Sequence, residues 1–237
     1  MKRLIDIPWD KKVVFIKRPN RFLGICQDKA TNQEFKVHVR DPGRLKELLY
    51  PGNMVLIKKA EKKDRKTKWD LIAASSQKGE WVLVNSGYHS RIAQSIILDT
   101  DISPFRSVQG IEREVNVGGS RLDFCLVHNH GRKVFIEVKG CTLEKDGRAL
   151  FPDAPTTRGN RHVLELLDLS RQGYGAAVMF LIFCPGVYCF APNWETDPLF
   201  SKSLERATRQ GVEVYPICLK YKDKSIWYNQ KIDLCVD

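Results

Sequence analysis

Glu112-Arg113-Glu114-Val115-Asn116-Val117 and Ser120-Arg121-Leu122-Asp123-Phe124-Cys125-Leu126-Val127 flank the pair Gly118-Gly119. Lys133-Val134-Phe135-Ile136-Glu137-Val138-Lys139 follows after the polar loop His128–Arg132. The three runs read as strands. The first two are joined by a two-residue hairpin turn, where glycine supplies positive φ at no steric cost. A hairpin centred between Gly118 and Gly119 sets Glu114 opposite Asp123. A second, centred on His130, sets Asp123 opposite Glu137 and Arg121 opposite Lys139. Residues two apart share a face of a strand. Glu114, Arg121, Asp123, Glu137 and Lys139 are therefore expected on one side, with Leu122, Phe124, Ile136 and Val138 on the other, in a core.

Three carboxylates facing one another repel unless something neutralises them. Either the nearby arginine and lysines do so, as in a solvated hairpin with a surface salt bridge, or a cation does. Hard oxygen ligands in an open arrangement suit Mg²⁺ or Mn²⁺. Asp123 and Glu137 are the candidate ligands, with the main-chain carbonyl of Val138 and with Glu114 as the third acid. Lys139 would stand beside a metal-bound water or a phosphate. This is the D…E-x-K arrangement of PD-(D/E)xK nucleases, and it makes Asp123, Glu137 and Lys139 the candidate catalytic residues.

The whole chain has 237 residues and a formal net charge of +11, from 39 Lys and Arg against 28 Asp and Glu. Such a basic excess points to a polyanion, most simply nucleic acid, although it also serves solubility. The start of the chain has no long apolar run, so no secretory signal is expected. The longest apolar run, Ala176 to Cys184, is nine residues and too short to cross a bilayer. Seven scattered cysteines without a C-x-x-C read as buried, reduced thiols of a cytoplasmic protein, with no disulfide framework and no zinc site.

Ahead of the hairpins, Val13–Ile16, Phe22–Cys26, Glu34–Arg40, Asn53–Lys59 and Trp69–Ala74 read as five strands. Asp41-Pro42 is expected to start a helix over Arg44–Leu49 that Pro51-Gly52 ends. This order suggests an oligonucleotide-binding (OB) barrel over residues 1–84. Basic and aromatic residues suited to phosphate contact and base stacking are Lys17, Arg18, Arg21, Phe22, Arg40, Arg44, Lys68 and Trp69. Taken singly, the two aromatics read as core residues. The charged loop Glu61–Lys68 adds further cations.

Residues 85–237 form a second unit. A helix over His89–Leu98, without an interior acid, leads into the three strands. After Lys139 the chain runs through Phe151-Pro152-Asp153 to Arg158, Arg161 and His162 at the start of a helix ending at Gly173. These three are candidate phosphate contacts, although the arginines also have Asp153 and Glu165 within reach. Ala176–Phe183 reads as a buried central strand, Leu199–Arg209 as a helix and Val212–Tyr215 as a parallel strand. The expected architecture is an α/β sandwich around a mixed sheet.

Several stretches together resemble the sugar fermentation stimulation protein A family: Lys17-Arg18 to Leu23, Pro51-Gly52, Trp69-Asp70-Leu71, Val84-Asn85-Ser86, Ser120 to Phe124, Ile136 to Lys139, and Phe151 to Ala154 through Arg158-Gly159 to His162. The resemblance covers nearly the whole chain. It implies an OB-like domain, then a PD-(D/E)xK domain, and DNA binding. It also implies either metal-dependent DNA cleavage or a non-catalytic role at sugar metabolism genes, and it allows a homodimer. The chain departs from the family pattern at Val39-Arg40-Asp41-Pro42-Gly43 and at Gly140-Cys141, beside the lysine.

Overall fold

Phe35 and Val37 are buried while Glu34 and Lys36 face solvent, the two-residue period of a strand with one dry face. A computed structural model describes residues 1–61 and 64–236. After β1 (Lys2–Asp6) come β2 (Lys11–Asn20), β3 (Leu23–Gln27), β4 (Glu34–His38), β5 (Met54–Lys59) and β6 (Trp69–Ser75). Antiparallel pairings run β4-β3-β2-β5-β6. Parallel pairing of Val37 with Trp69 and of His38 with Asp70 closes the ring. This is the expected OB barrel, with Phe15, Val37, Leu71 and Ile57 wholly buried inside.

The helix expected over Arg44–Leu49 does not form. The main-chain N–H groups of Leu48 and Leu49 both return to the Leu45 carbonyl, which makes a single turn. Leu45 itself has φ +51. The backbone here has other partners. Asp41 accepts the Gly43 N–H at 2.8 Å, and Asp153 accepts the Leu45 N–H at 3.0 Å.

β7 (Trp81–Leu83) pairs with β6 and leads into the second unit, which contains α1 (His89–Leu98), β8 (Val108–Val117), β9 (Ser120–His128), β10 (Lys133–Cys141), β11 (Leu143–Lys145), β12 (Arg148–Phe151), α2 (Thr157–Arg171), β13 (Gly175–Ile182), β14 (Cys189–Pro192), α3 (Pro198–Arg209), β15 (Glu213–Lys222), β16 (Ser225–Lys231) and β17 (Asp233–Leu234). Its main sheet runs β15-β13-β10-β9-β8 and is continuous with the barrel through β7. β10, β13 and β15 are parallel and the β8–β9–β10 pairings antiparallel, so the sheet is mixed, as expected. Ala177, Met179 and Leu181 of β13 join α1 and the barrel in one core. Ala176, Val178, Phe180 and Ile182 join α2 and α3 in a second. A strand buried on both faces has no polar alternation to display.

β1, placed by sequence with the barrel, is hydrogen-bonded to β16 of the second unit. A smaller sheet, β11-β12-β14-β17, carries a disulfide between Cys189 and Cys235, with Cα atoms 5.0 Å apart. This corrects the expectation of seven free thiols. Parallel pairing of β14 with β17 brings together two cysteines 46 residues apart, which spacing alone does not reveal. No described helix is long and apolar enough to cross a membrane.

Candidate metal and phosphate site

Both hairpins adopt the expected register. Arg113 faces Phe124 and Val115 faces Leu122, while Lys133 to Ile136 face Val127 to Phe124. The β9–β10 ladder stops at Ile136. Beyond it the Asp123 side chain takes over, and its Oδ2 accepts the Val138 N–H at 2.7 Å. Leu122, Phe124, Ile136 and Val138 are all buried as expected, although Leu122 belongs to the second core and the other three to the first. Glu137 and Lys139 lie between Phe135 and Cys141, both of the second core, so α2 covers their face.

Glu137 is 4% exposed. Its Oε1 accepts both Lys139 Nζ and His162 Nδ1 at 2.5 Å. Its Oε2 is buried without a partner. Arg158 Nε donates to His162 Nε2 at 3.4 Å, so the imidazole proton is on Nδ1 and points to Glu137. His162 is 1% exposed, which corrects its placement among the nucleic-acid contacts. One helical turn below Arg158, it shares the inner face of α2 with Val163 and Leu166, and it meets a carboxylate there.

Burial, then the neighbouring Glu137, pushes the Asp123 carboxyl up to about 6. Burial also pushes Glu137 upward. The hydrogen bond from His162 and the charge of Lys139 outweigh it and hold Glu137 below the ordinary carboxylate range. A half-buried carboxyl, Asp123, and a buried one, Glu137, with an orphan oxygen form a donor set that fits a hard divalent cation. Among the described residues no three His, Cys, Asp or Glu side chains cluster as a metal cage. A cation here would draw on Asp123, Glu137, the Val138 carbonyl and water, the open coordination Mg²⁺ favours.

Glu114 has φ +56 and is turned to the surface. Its Oε2 pairs with Arg121 Nη1 at 2.9 Å, with both side chains more than half exposed. These two sequence-selected residues neutralise each other. Arg161 is exposed at the first turn of α2.

Sequence reading missed His89. Its ring stacks on Phe183 at 5.5 Å and occupies the space a side chain on Gly140 would need. Burial, then the charge of Lys139, lowers its pKa to about 4, so it stays neutral. The sequence signal was the glycine directly after the Glu-x-Lys run.

In the barrel, Lys17, Arg21, Phe22, Arg40, Arg44 and Lys68 are exposed. Phe22 is 54% exposed and lies 6.4 Å from the stacked His38 ring. Trp69 is half-buried, edge-on to Phe35 at 5.2 Å, in keeping with a packing role. Arg18 is reassigned. All its N–H donors are engaged by the carbonyls of Arg21, Asp41, Gly43 and Arg44, so it binds the chain to itself rather than a phosphate. In the charged loop Arg65 pairs with Asp70 at 2.7 Å. Lys62 and Lys63 lie outside the described residues.

The chain matches the sugar fermentation stimulation protein RE domain over residues 87–225 and the SfsA N-terminal OB domain over residues 16–84. The sugar fermentation stimulation protein homolog of Methanococcoides burtonii is 42% identical, over 99% of this chain and 96% of that protein. The homolog of Methanothermobacter thermautotrophicus is 48% identical, over 86% and 84%. The solved structure of Pyrococcus furiosus SfsA in complex with Ca²⁺ covers 100% of both chains with a TM-score of 0.90 at 27% identity. On the strength of both domain matches and these full-length relatives, the chain belongs to the sugar fermentation stimulation protein family.

Proposed function

We propose that this protein is a cytoplasmic, DNA-binding, metal-dependent nuclease that hydrolyses phosphodiester bonds. The observation that carries the reading is the buried, unpartnered Oε2 of Glu137 beside Asp123. The Pyrococcus relative was solved with Ca²⁺, an ion of the same hard, oxygen-seeking class as the Mg²⁺ or Mn²⁺ proposed here.

Asp123 and Glu137 would hold the cation with the Val138 carbonyl. When bound, such a cation supplies Lewis acidity and a lowered pKa for water. Lys139, already within hydrogen-bond distance of Glu137, would position that water or steady charge on the phosphate. Glu114 is retained only as an assistant through water, given its pairing with Arg121. Arg158, Arg161 and, on release from Glu114, Arg121 would contact phosphates. The exposed barrel residues Lys17, Arg21, Phe22, Arg40, Arg44 and Lys68 would supply most of the affinity.

A second reading, a DNA-binding regulator without cleavage, has one observation in its favour. Lys139 and His162 already compensate Glu137 within the fold. Cleavage of single-stranded and duplex DNA in Mg²⁺, Mn²⁺ or EDTA separates the two. Metal-dependent cutting is expected, falling about 10²–10⁴-fold in Lys139→Ala and abolished in Asp123→Ala and Glu137→Ala with DNA affinity kept. Tight binding without cutting under any condition sinks the nuclease reading.

A further inference from the structure

We propose that His162 is a positioning residue that couples the cation site to the phosphate site. The proposal rests on the metal-dependent reading above. Each link is a hydrogen bond. Arg158 Nε donates to His162 Nε2 at 3.4 Å, and His162 Nδ1 donates to Glu137 Oε1 at 2.5 Å. Together with Lys139 this fills Oε1 and leaves Oε2 as the oxygen of Glu137 turned to an incoming ion.

The imidazole is 1% exposed and cannot touch substrate. Arg158 is exposed and gives one of its five N–H donors to His162, with the other four on its terminal nitrogens. A phosphate drawn to those donors fixes the guanidinium. A fixed guanidinium fixes the ring, and a fixed ring holds the carboxylate in the rotamer that presents Oε2. A carboxylate held by an ion fixes the same chain from the other end. Two sites joined by one rigid relay strengthen each other's binding by the same factor, because linkage is reciprocal. A ligand-orienting imidazole also acts directly on metal affinity.

Two substitutions separate these roles. In His162→Asn the amide Nδ2 stands where Nδ1 stood, so the bond to Glu137 is kept and the acceptor for Arg158 is lost. In His162→Leu both are lost. The measurements are Ca²⁺ affinity of the full-length protein by calorimetry without DNA, and affinity for a fluorescent oligonucleotide in saturating Ca²⁺ or EDTA.

In the unsubstituted protein Ca²⁺ is expected to tighten oligonucleotide binding about 10-fold, within the usual range of coupling energies. His162→Asn is expected to bind Ca²⁺ within about threefold of the parent, with the tightening reduced to less than about twofold. His162→Leu is expected to bind Ca²⁺ at least about 10-fold more weakly. The proposal is overturned if His162→Asn retains the full Ca²⁺-dependent tightening, or if a folded His162→Leu binds Ca²⁺ normally. If His162→Leu does not fold, His162→Asn decides alone. If the parent binds no Ca²⁺, the metal-dependent reading fails together with the proposal. A parent that shows the coupling, with His162→Asn unchanged, sinks the coupling role alone.

Discussion

Gly140 shows how a single residue shapes the site without taking part in it. A methyl group there would overlap the His89 ring, with Nε2 at 2.8 Å and Nδ1 at 3.0 Å. The ring is held by Phe183 and cannot easily yield. Gly140→Ala is expected to cost about 1–3 kcal/mol by overpacking, and the double variant Gly140→Ala/His89→Ala to recover part of that loss by opening space. Thermal melts of the two variants check this. A single variant as stable as the parent would mean that the ring moves freely. The acids and the lysine were legible because their spacing follows the two-residue period of paired strands. His89 was not, since nothing local connects the start of α1 to the residue after Lys139.

Arg18 does the same at the scale of an element. Its guanidinium gathers four carbonyls of the turn at Arg21 and of the loop Asp41–Arg44. That loop takes the place of the helix read from Asp41-Pro42. A basic residue in a basic strand is an easy candidate for phosphate contact, and only the fold shows where its donors go. Arg18→Ala is expected to lower stability by about 2–4 kcal/mol, because several carbonyls lose their partners at once. Arg21→Ala, on the exposed face, should leave stability within about 0.5 kcal/mol and weaken DNA binding. Chemical denaturation with an anisotropy titration separates them. The reverse pattern would return Arg18 to the binding face.

At the scale of the molecule, the barrel and the mixed sheet share a core, and Asp153 reaches from the loop before α2 to the Leu45 N–H of the barrel. Asp41 sits in this junction. Burial, with Asp153 adding to it, pushes its carboxyl from 3.8 up to about 6, against the opposing Gly43 N–H and Arg18. The folded state therefore holds this proton more tightly than the unfolded chain does. The Asp41 contribution to stability is full below pH 3.8 and declines as pH rises to about 6, with no further change above. Asp41→Asn cannot ionise. It should match the parent near pH 4 and exceed it by about 3 kcal/mol at pH 7. Melting curves from pH 4 to 7 check this, and parallel pH profiles for the two proteins would refute it. By itself the sequence determined the barrel strands, the two hairpins with their register, the mixed α/β unit and the nearness of Asp123 to Glu137. All of these follow from periodicities and turn residues that act over a few positions. Tertiary structure alone decided that His162 faces inward from α2 against Glu137, that His89 lies against Gly140, that Arg18 is saturated, that β1 pairs with β16 and that Cys189 meets Cys235. Each of these is a contact between distant parts of the chain, set by how whole elements pack.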